Sequence, residues 1–291
     1  MNPPAASEVP AKQPSPRQRI ALVSLLADED PAVLRMVRSK VLSFGPVAIE
    51  WLRPFALSGD PLLRRRVREI LGHFGRQDAD NQFLAFCMSQ GEDFNLEQGV
   101  WLLTRTQYPE INVAGYQALL DNYAGELRES IDFSAEPRDI LRALNRYLFE
   151  HLRFQGDEEN YYDAENSYPN RVMDRRTGNP ISLCLIYLCL CRRLHLPVTG
   201  IGLPGHFICR YQSSRFETYI DVFNKGKFLS KADCIQYLVQ TNHGLGDGYL
   251  APASPRRTLM RICANLHQIY LHREQSEEVG RFQRYLVILA K

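Results

Sequence analysis

The sequence predicts an α+β fold in which helices and strands occupy separate stretches of the chain. Residues 18–155 carry apolar side chains at helical spacing, and residues 257–290 do so again. Between them, residues 198–223 contain three short strand-like runs bounded by turn residues. We therefore expect a small sheet with helices before and after it.

The composition is typical of a globular chain and excludes several classes of function. Hydrophobic residues make up 45% and charged residues 23% of the 291 residues, so a sizeable core can form. The formal net charge of +2 is too close to balance to indicate nucleic-acid binding. No signal peptide or membrane-spanning stretch is visible, so we expect a cytoplasmic protein with no membrane contact and with reduced cysteines.

Metal and cofactor binding are not expected. None of the seven cysteines belongs to a CxxC pair, and the spacing of His and Cys does not fit tetrahedral zinc ligation. The sequence does not indicate an oligomeric state.

The front of the chain contains an internal repeat behind a proline-rich start. Residues 1–17 are polar and rich in proline, which predicts a disordered tail. An Asp-Pro pair followed by a Phe-Gly pair at 30–45 recurs at 60–75. Asp supplies a helix N-cap, Pro suits the first helical position, and Gly accepts the left-handed conformation that ends a helix. The repeat predicts HEAT-like helices over residues 18–78, either as a protein-binding face or, as we favour with only two repeats, as a packing platform.

Residues 79–256 are predicted to form the main domain, with a helical lead-in at 79–155 and a core at 156–256. The lead-in helices are expected at Asn81–Gln90, Leu96–Thr106, Val113–Ile131 and Pro137–Leu152. Asn95 and Glu97 are interpreted as helix-start residues. Residues 156–170 and 242–256 predict loops. Residues 257–291 predict a helical hairpin similar to a single tetratricopeptide unit.

One helix of the core is predicted to be buried. Asn179 as N-cap and Pro180 as first residue open it, and it runs to about Leu194 with apolar side chains on every face. Strands are expected at 198–203, 206–211 and 218–223, followed by a helix at 229–240.

Two of these strands bring a histidine close to an aspartate. If Gln212 pairs with Glu217 across the hairpin, Ile208 lies opposite Asp221, and His206 is two residues along on the same face. An imidazole beside a carboxylate forms the base-and-orienter half of a catalytic triad. The start of the preceding helix is where a nucleophilic thiol has its pKa lowered, and thiol hydrolases use this chain order of helix, His and Asp.

Several long motifs resemble a known family. They are GEDFNLE at 91–97, NSYPNRVMDRRTGNPISL at 166–183, RLHLP at 193–197, GLPGHF at 202–207 and YIDVFNKG at 219–226. Together, and over the chain from about Leu22 onward, they look like the SirB-type branch of the transglutaminase-like superfamily, a module also found fused to F-box segments. The resemblance implies a HEAT-like helical region packed on a transglutaminase/papain-like α+β domain with a C-terminal helical hairpin.

The resemblance also places the site residues. By motif, His206 and Asp221 match the last two members of a Cys-His-Asp triad, whereas the place of the Cys falls near 180–182, where no Cys is present. Cys184 is the nearest thiol, about one turn further along, and Ser182 is closer but its hydroxyl needs stronger activation. We therefore favour a non-catalytic binding, scaffold or regulatory protein. The alternative is a cysteine-dependent hydrolase or acyltransferase that uses Cys184, His206 and Asp221.

A second group of residues is considered for ligand binding. Arg171, Arg175 and Arg176 lie between a polar loop and a helix start, so they form either an anion-binding patch or an ordinary solvated surface. The cleft of such a domain would hold an extended peptide or an acyl-amide-like ligand, which makes a protein or peptide the expected partner. The candidate binding residues are Asn166, Asn170, Arg171, Arg175, Arg176 and Asn179.

Overall fold

The computed structural model describes residues 13–241 and 248–291, and the chain divides into two compact units. Of the described residues, one unit contains 13–81 together with 106–110, and the other contains 82–105, 111–241 and 248–291. Most of the predicted N-terminal tail and part of the predicted loop at 242–256 lie outside the described residues. The first helix begins at Pro16, where Ser15 forms a capping box with Gln18.

The first unit is helical, and two of its helices begin where the repeat predicts, whereas the first helix begins at Pro16, within the last residues of the predicted tail. It contains α1 (Pro16–Leu26), α2 (Pro31–Leu42), α3 (Ala48–Leu52) and most of α4 (Pro61–Ser89). Asp30 accepts a hydrogen bond from the Ala32 N–H at 2.7 Å, and Asp60 accepts one from the Leu62 N–H at 2.9 Å. The core of this unit consists of Val23, Leu26, Val37, Val41, Ala48, Trp51, Leu52, Leu63, Val67, Ile70 and Phe74.

The two glycines of the repeat have different roles, which corrects one prediction. Gly45 adopts a left-handed φ of 71° after α2, as expected. Gly75 does not end its helix, because α4 continues without a break to Ser89. The difference follows from the next residue: Pro46 cannot continue a helix, whereas Arg76 is a good helix former. Gly75 instead allows close packing, since an added Cβ would lie 3.2 Å from Pro109.

The second unit carries the sheet and the remaining helices. Its helices are most of α5 (Leu96–Gln107), and all of α6 (Val113–Ser130), α7 (Pro137–Asn145), α8 (Pro169–Arg175), α9 (Pro180–Arg193), α10 (Lys231–Gln240), α11 (Pro255–His272) and α12 (Ser276–Leu289). A two-stranded parallel pair joins β1 (Gln155–Gly156) and β2 (Thr177–Gly178). The antiparallel sheet has the order β3 (Val198–Leu203), β4 (His206–Gln212), β5 (Glu217–Asp221) and β6 (Lys227–Leu229).

Some element boundaries differ from the predictions. The helix expected over Pro137–Leu152 gives way to a wider π-turn at Arg146–His151. The third strand ends at Asp221 rather than at 223, and β6 and α8 were not predicted. α8 begins within the expected loop because Pro169 takes the first helical position.

Helix α9 is the buried centre of the second unit. It contacts β3 and β4 as well as α6 and α8, which agrees with its apolar character on every face. Its N-cap is Asn179, whose side chain accepts from the Ser182 N–H at 3.0 Å. Over the described ranges, every helix is too short or too polar to traverse a lipid bilayer.

Candidate functional site

His206 and Asp221 meet on the face of the β4–β5 hairpin. Gln212 pairs with Glu217, as the sequence predicts, and this register brings His206 Nε2 to 3.0 Å from Asp221 Oδ1. Asn224 Nδ2 donates to the other carboxylate oxygen at 2.8 Å. Burial alone would raise the pKa of Asp221, but the hydrogen bonds from His206 and Asn224 hold that pKa below its ordinary value. Asp221 is therefore an ionised group that orients the imidazole.

The imidazole of His206 lies between two cavities. The Asp221 cavity measures about 640 Å³ and the Arg261 cavity about 260 Å³. Both are lined by Tyr161, Pro180, Gly205 and His206. The Asp221 cavity also contains Asp221, Phe223, Phe228, Asp233, Cys234 and Tyr237. The Arg261 cavity also contains Asn179, Ile181, Phe207, Arg261, Asn265 and Ile269. The two cavities therefore share part of their wall, and His206 belongs to the shared part.

The residue that borders this space at the start of α9 is Pro180. It is the first residue of the helix, and it lines both cavities together with His206. A pyrrolidine ring has no nucleophilic atom. The imidazole therefore shares its cavities at this helix end with an inert ring.

Cys184 and Ser182 are turned to other partners. Cys184 is fully buried, and its Sγ donates to the Phe207 carbonyl at 3.4 Å. Burial, followed by the neighbouring Cys209 and Asp221, raises the pKa of Cys184 well above its ordinary value. The Ser182 Oγ donates to the Asn166 carbonyl at 2.6 Å. Neither side chain lines the two cavities.

A thiol that sequence reasoning did not select does reach the site. Cys234 of α10 lines the Asp221 cavity. Burial, together with the charges of Asp233, Asp221 and Glu217, raises its pKa to about 12, so it stays a neutral thiol at pH 7. Cys234 is the fourth residue of α10 and packs with Ile208 and Tyr219 of the sheet, a contact that the sequence does not reveal.

Two of the three candidate arginines, Arg171 and Arg175, hold the loop in place. Arg175 contacts Asp163 at 2.8 Å and Glu165 at 3.1 Å, and Arg171 contacts Glu165 at 3.0 Å. Burial would raise the pKa of Asp163, but the hydrogen bond from Arg175 lowers it below its ordinary value. These carboxylates balance the arginine charges, so the structure favours a loop clamp over both an anion patch and a solvated surface.

Arg176 and Asn166 also have structural partners. Arg176 donates to the Tyr123 hydroxyl at 2.6 Å and lies over the Phe154 ring. Asn166 is fully buried and donates to the Asn160 carbonyl at 2.8 Å. Asn170 is buried as well. Of the six candidate binding residues, only Asn179 lines one of the two cavities.

The turn after Asp221 depends on a glycine, which gives a first prediction. Gly226 has φ 73°, and an added Cβ would lie 2.4 Å from Asn145, whose Nδ2 donates to the Gly226 carbonyl at 2.7 Å. We expect Gly226→Ala to lower the free energy of unfolding by about 2–4 kcal/mol, because the left-handed backbone and the overlap with Asn145 both oppose a side chain. Urea denaturation measures this.

Gly125→Ala is the matched control for that measurement. Gly125 lies inside α6 with nothing within 4 Å of an added Cβ. Its replacement should leave stability unchanged or raise it by up to about 1 kcal/mol. Equal stability of the two variants would contradict the role given to Gly226.

The fold and the His206–Asp221 site agree with a match to a known protein superfamily. Among the described residues, no group of three or more His, Cys, Asp and Glu is arranged to hold a metal ion. The sequence profile of the transglutaminase-like superfamily matches residues 114–264, slightly more than half of the chain, and this stretch contains α9, β3, β4 and β5. The chain therefore belongs to the transglutaminase-like superfamily.

The curated relatives are of two kinds. A UPF0162 protein of Xylella fastidiosa is 35% identical over 187 residues, which is 62% of this chain and 66% of the relative. A UPF0162 protein of Pseudomonas aeruginosa is 27% identical over 63% of this chain and 67% of its own length. Human F-box only protein 21 is 40% identical over 44% of this chain but only 21% of its own length. No solved structure matches the chain.

Proposed function

We propose that this chain is a binding protein whose transglutaminase-like domain holds a peptide or acyl-amide group without turning it over. The observation that carries the proposal is that Pro180 borders the cavities around His206 at the start of α9. His206 keeps its orienting carboxylate, so the imidazole can hydrogen-bond a ligand amide. Among the described residues that line its two cavities, the only thiol is that of Cys234, whose raised pKa keeps it protonated at neutral pH.

The state of the thiols supports the same proposal. All seven cysteines are buried. Burial raises the pKa of Cys184 and of Cys234, the two thiols considered at the site. Thiolate is the reactive form, so both groups are poor nucleophiles at neutral pH.

Several finer assignments belong to the proposal. We place the chain in the SirB-type branch and assign HEAT-like repeats to 18–78 and a tetratricopeptide-like hairpin to 257–291, with a cytoplasmic location. The match to one fifth of F-box only protein 21 fits a module that acts beside other domains, with a protein or peptide as partner.

The competing hypothesis is a thiol hydrolase or acyltransferase with Cys184 as nucleophile, His206 as base and Asp221 as orienter. It has the intact His206–Asp221 pair in its favour. It requires the Cys184 sulfur to leave the Phe207 carbonyl and to turn toward the imidazole.

Installing the missing thiol tests both hypotheses. In Pro180→Cys, we expect iodoacetamide at pH 7 to alkylate residue 180 at least about tenfold faster than in the same variant with His206→Ala, because a nearby imidazole stabilises the thiolate. The native wild-type protein should show no labelling at Cys184. Mass spectrometry of timed digests gives the rates.

Lys231→Cys is the matched control. Lys231 is the exposed first residue of α10, so its replacement reports the rate of a thiol at an ordinary helix start. That rate should not change with His206→Ala. Stoichiometric labelling of wild-type Cys184 that His206→Ala abolishes would instead establish the thiol-enzyme hypothesis.

A further inference from the structure

The Arg261 cavity has an uncompensated positive charge. Its lining residues include Arg261 but no aspartate or glutamate. Arg261 is half-buried, and it makes no hydrogen bond or ion pair with any residue in 13–241 or 248–291. The contrast with Arg175, which contacts three carboxylates, shows that the fold neutralises some arginines and leaves this one facing a cavity.

Other hydrogen-bond donors surround the same space. Tyr161 and Asn265 line the cavity, and neither the phenol hydroxyl nor the amide is hydrogen-bonded to another described residue. Burial, followed by the nearby Tyr162, raises the pKa of Tyr161, so its hydroxyl keeps its proton at neutral pH. A guanidinium and a phenol together suit a ligand group that only accepts hydrogen bonds.

The rest of the cavity is apolar. Ile181, Phe207 and Ile269 form part of its wall, and its volume of about 260 Å³ suits a fragment the size of one amino-acid residue. A charge-assisted hydrogen bond is stronger in such surroundings than in water. The Asp221 cavity differs, because two aspartates, Asp221 and Asp233, line it against one lysine, Lys227, and this excess of negative charge disfavours an anion.

We propose that the Arg261 cavity binds the carboxylate of the ligand. The carboxylate lies against Arg261 and Tyr161, the adjacent amide reaches His206, and the apolar remainder extends past Pro180 toward Phe223 and Phe228 in the Asp221 cavity. This assignment rests on the proposed binding function and adds a ligand class and a direction to it.

The test uses the full-length protein and three fluorescently labelled leucine peptides. The first is trileucine with a free C-terminal carboxylate, the second is its C-terminal amide, and the third is Leu-Glu-Leu amide, which carries the carboxylate on a side chain. Fluorescence anisotropy gives the affinity of each peptide. We expect at least one acidic peptide to bind about tenfold more tightly than trileucine amide, and the two acidic peptides distinguish a chain terminus from a side chain.

Two variants separate the cavity from general charge. In Arg261→Gln, any acidic peptide that wild type prefers should bind no more tightly than trileucine amide, and the affinity of trileucine amide should not change. Arg284→Gln, which removes an exposed arginine from α12, should retain the preference.

The outcomes also separate the two proposals. If wild type binds trileucine amide as tightly as both acidic peptides, the carboxylate assignment is wrong and the binding cleft stands. If Arg261→Gln keeps the acid preference, the assignment to this cavity is wrong. If His206→Ala leaves the binding of every peptide unchanged, or none of them binds, both proposals are contradicted.

Discussion

Arg193→Met should lower the free energy of unfolding by about 3–5 kcal/mol at pH 7. Two Arg193 nitrogens contact the two Glu97 oxygens at 2.8 and 2.9 Å, and Arg193 Nε contacts Asp121 at 2.6 Å. The Glu97 side chain is only 11% exposed. Removing the arginine leaves an uncompensated carboxylate in a site that excludes most water, and urea denaturation measures the loss.

The double variant Arg193→Met with Glu97→Gln is the control. It removes both charges, so it should recover a large part of the stability lost in Arg193→Met. If the double variant is no more stable than Arg193→Met, the loss arises from the packing of the arginine stem rather than from the unpaired carboxylate.

The pH dependence provides a second check on Glu97. Burial would raise the pKa of this carboxyl, but the hydrogen bond and charge of Arg193 hold it below the ordinary value of 4.5. A carboxyl whose pKa is lowered by folding stabilises the protein above its unfolded pKa, and this contribution is lost as pH falls through the folded value. We therefore expect the stability of wild type to fall more steeply below pH 4.5 than that of Glu97→Gln.

Arg256→Met is expected to lower the free energy of unfolding by about 3–4 kcal/mol. The buried guanidinium donates to the Leu289 carbonyl at 3.0 Å, to Ile288 at 2.7 Å, and to Cys87 and Gln90 at 3.1 Å each. These carbonyls belong to the ends of α12 and α4, where helical partners are missing and the helix dipole favours a cation. Without the arginine, several buried acceptors lose their donor.

Two further variants make the Arg256 measurement specific. Arg256→Lys keeps the charge but not the planar set of donors, so most of the loss should remain. Arg257→Met changes the exposed neighbour on the same helix and should alter stability by less than about 0.5 kcal/mol. If Arg256→Met and Arg257→Met have equal thermal unfolding midpoints, the four hydrogen bonds of Arg256 make no net contribution to stability.

Local signals in the sequence predicted much of this protein. The Asp-Pro and Asn-Pro pairs predicted three helix starts, and Asp30, Asp60 and Asn179 do cap those helices. Such starts can be predicted from sequence because a cap accepts hydrogen bonds from backbone N–H groups only two or three residues away. The hairpin register that pairs His206 with Asp221 could be worked out from a four-residue loop and strand alternation. Asn95 fits its predicted helix start, since it accepts from the Gln98 N–H.

Contacts between segments that are distant in the sequence could not be predicted from such local signals. An acidic residue such as Glu97 is typical of the first turn of a helix, and the sequence predicts no more than that. Its ion pair with Arg193 joins positions 96 residues apart. The arginines after the polar loop looked free because their carboxylate partners could be identified only once that loop was folded. Nothing in the sequence around Arg261 indicates a site, since its cavity is formed by residues from four separate segments.

By itself, the sequence determined the α+β order of elements, the starts of the principal helices and the His206–Asp221 pair, all of which depend on caps and periodicities acting within a few residues. Only the tertiary structure decided that Pro180 lines the same cavities as His206, that Cys184 points to a backbone carbonyl and that Arg261 lines a cavity without a carboxylate. The physical reason is that the direction of a side chain into a cleft depends on how α9, α11 and the sheet pack. That packing is determined by burial over the whole unit rather than by neighbours in the chain.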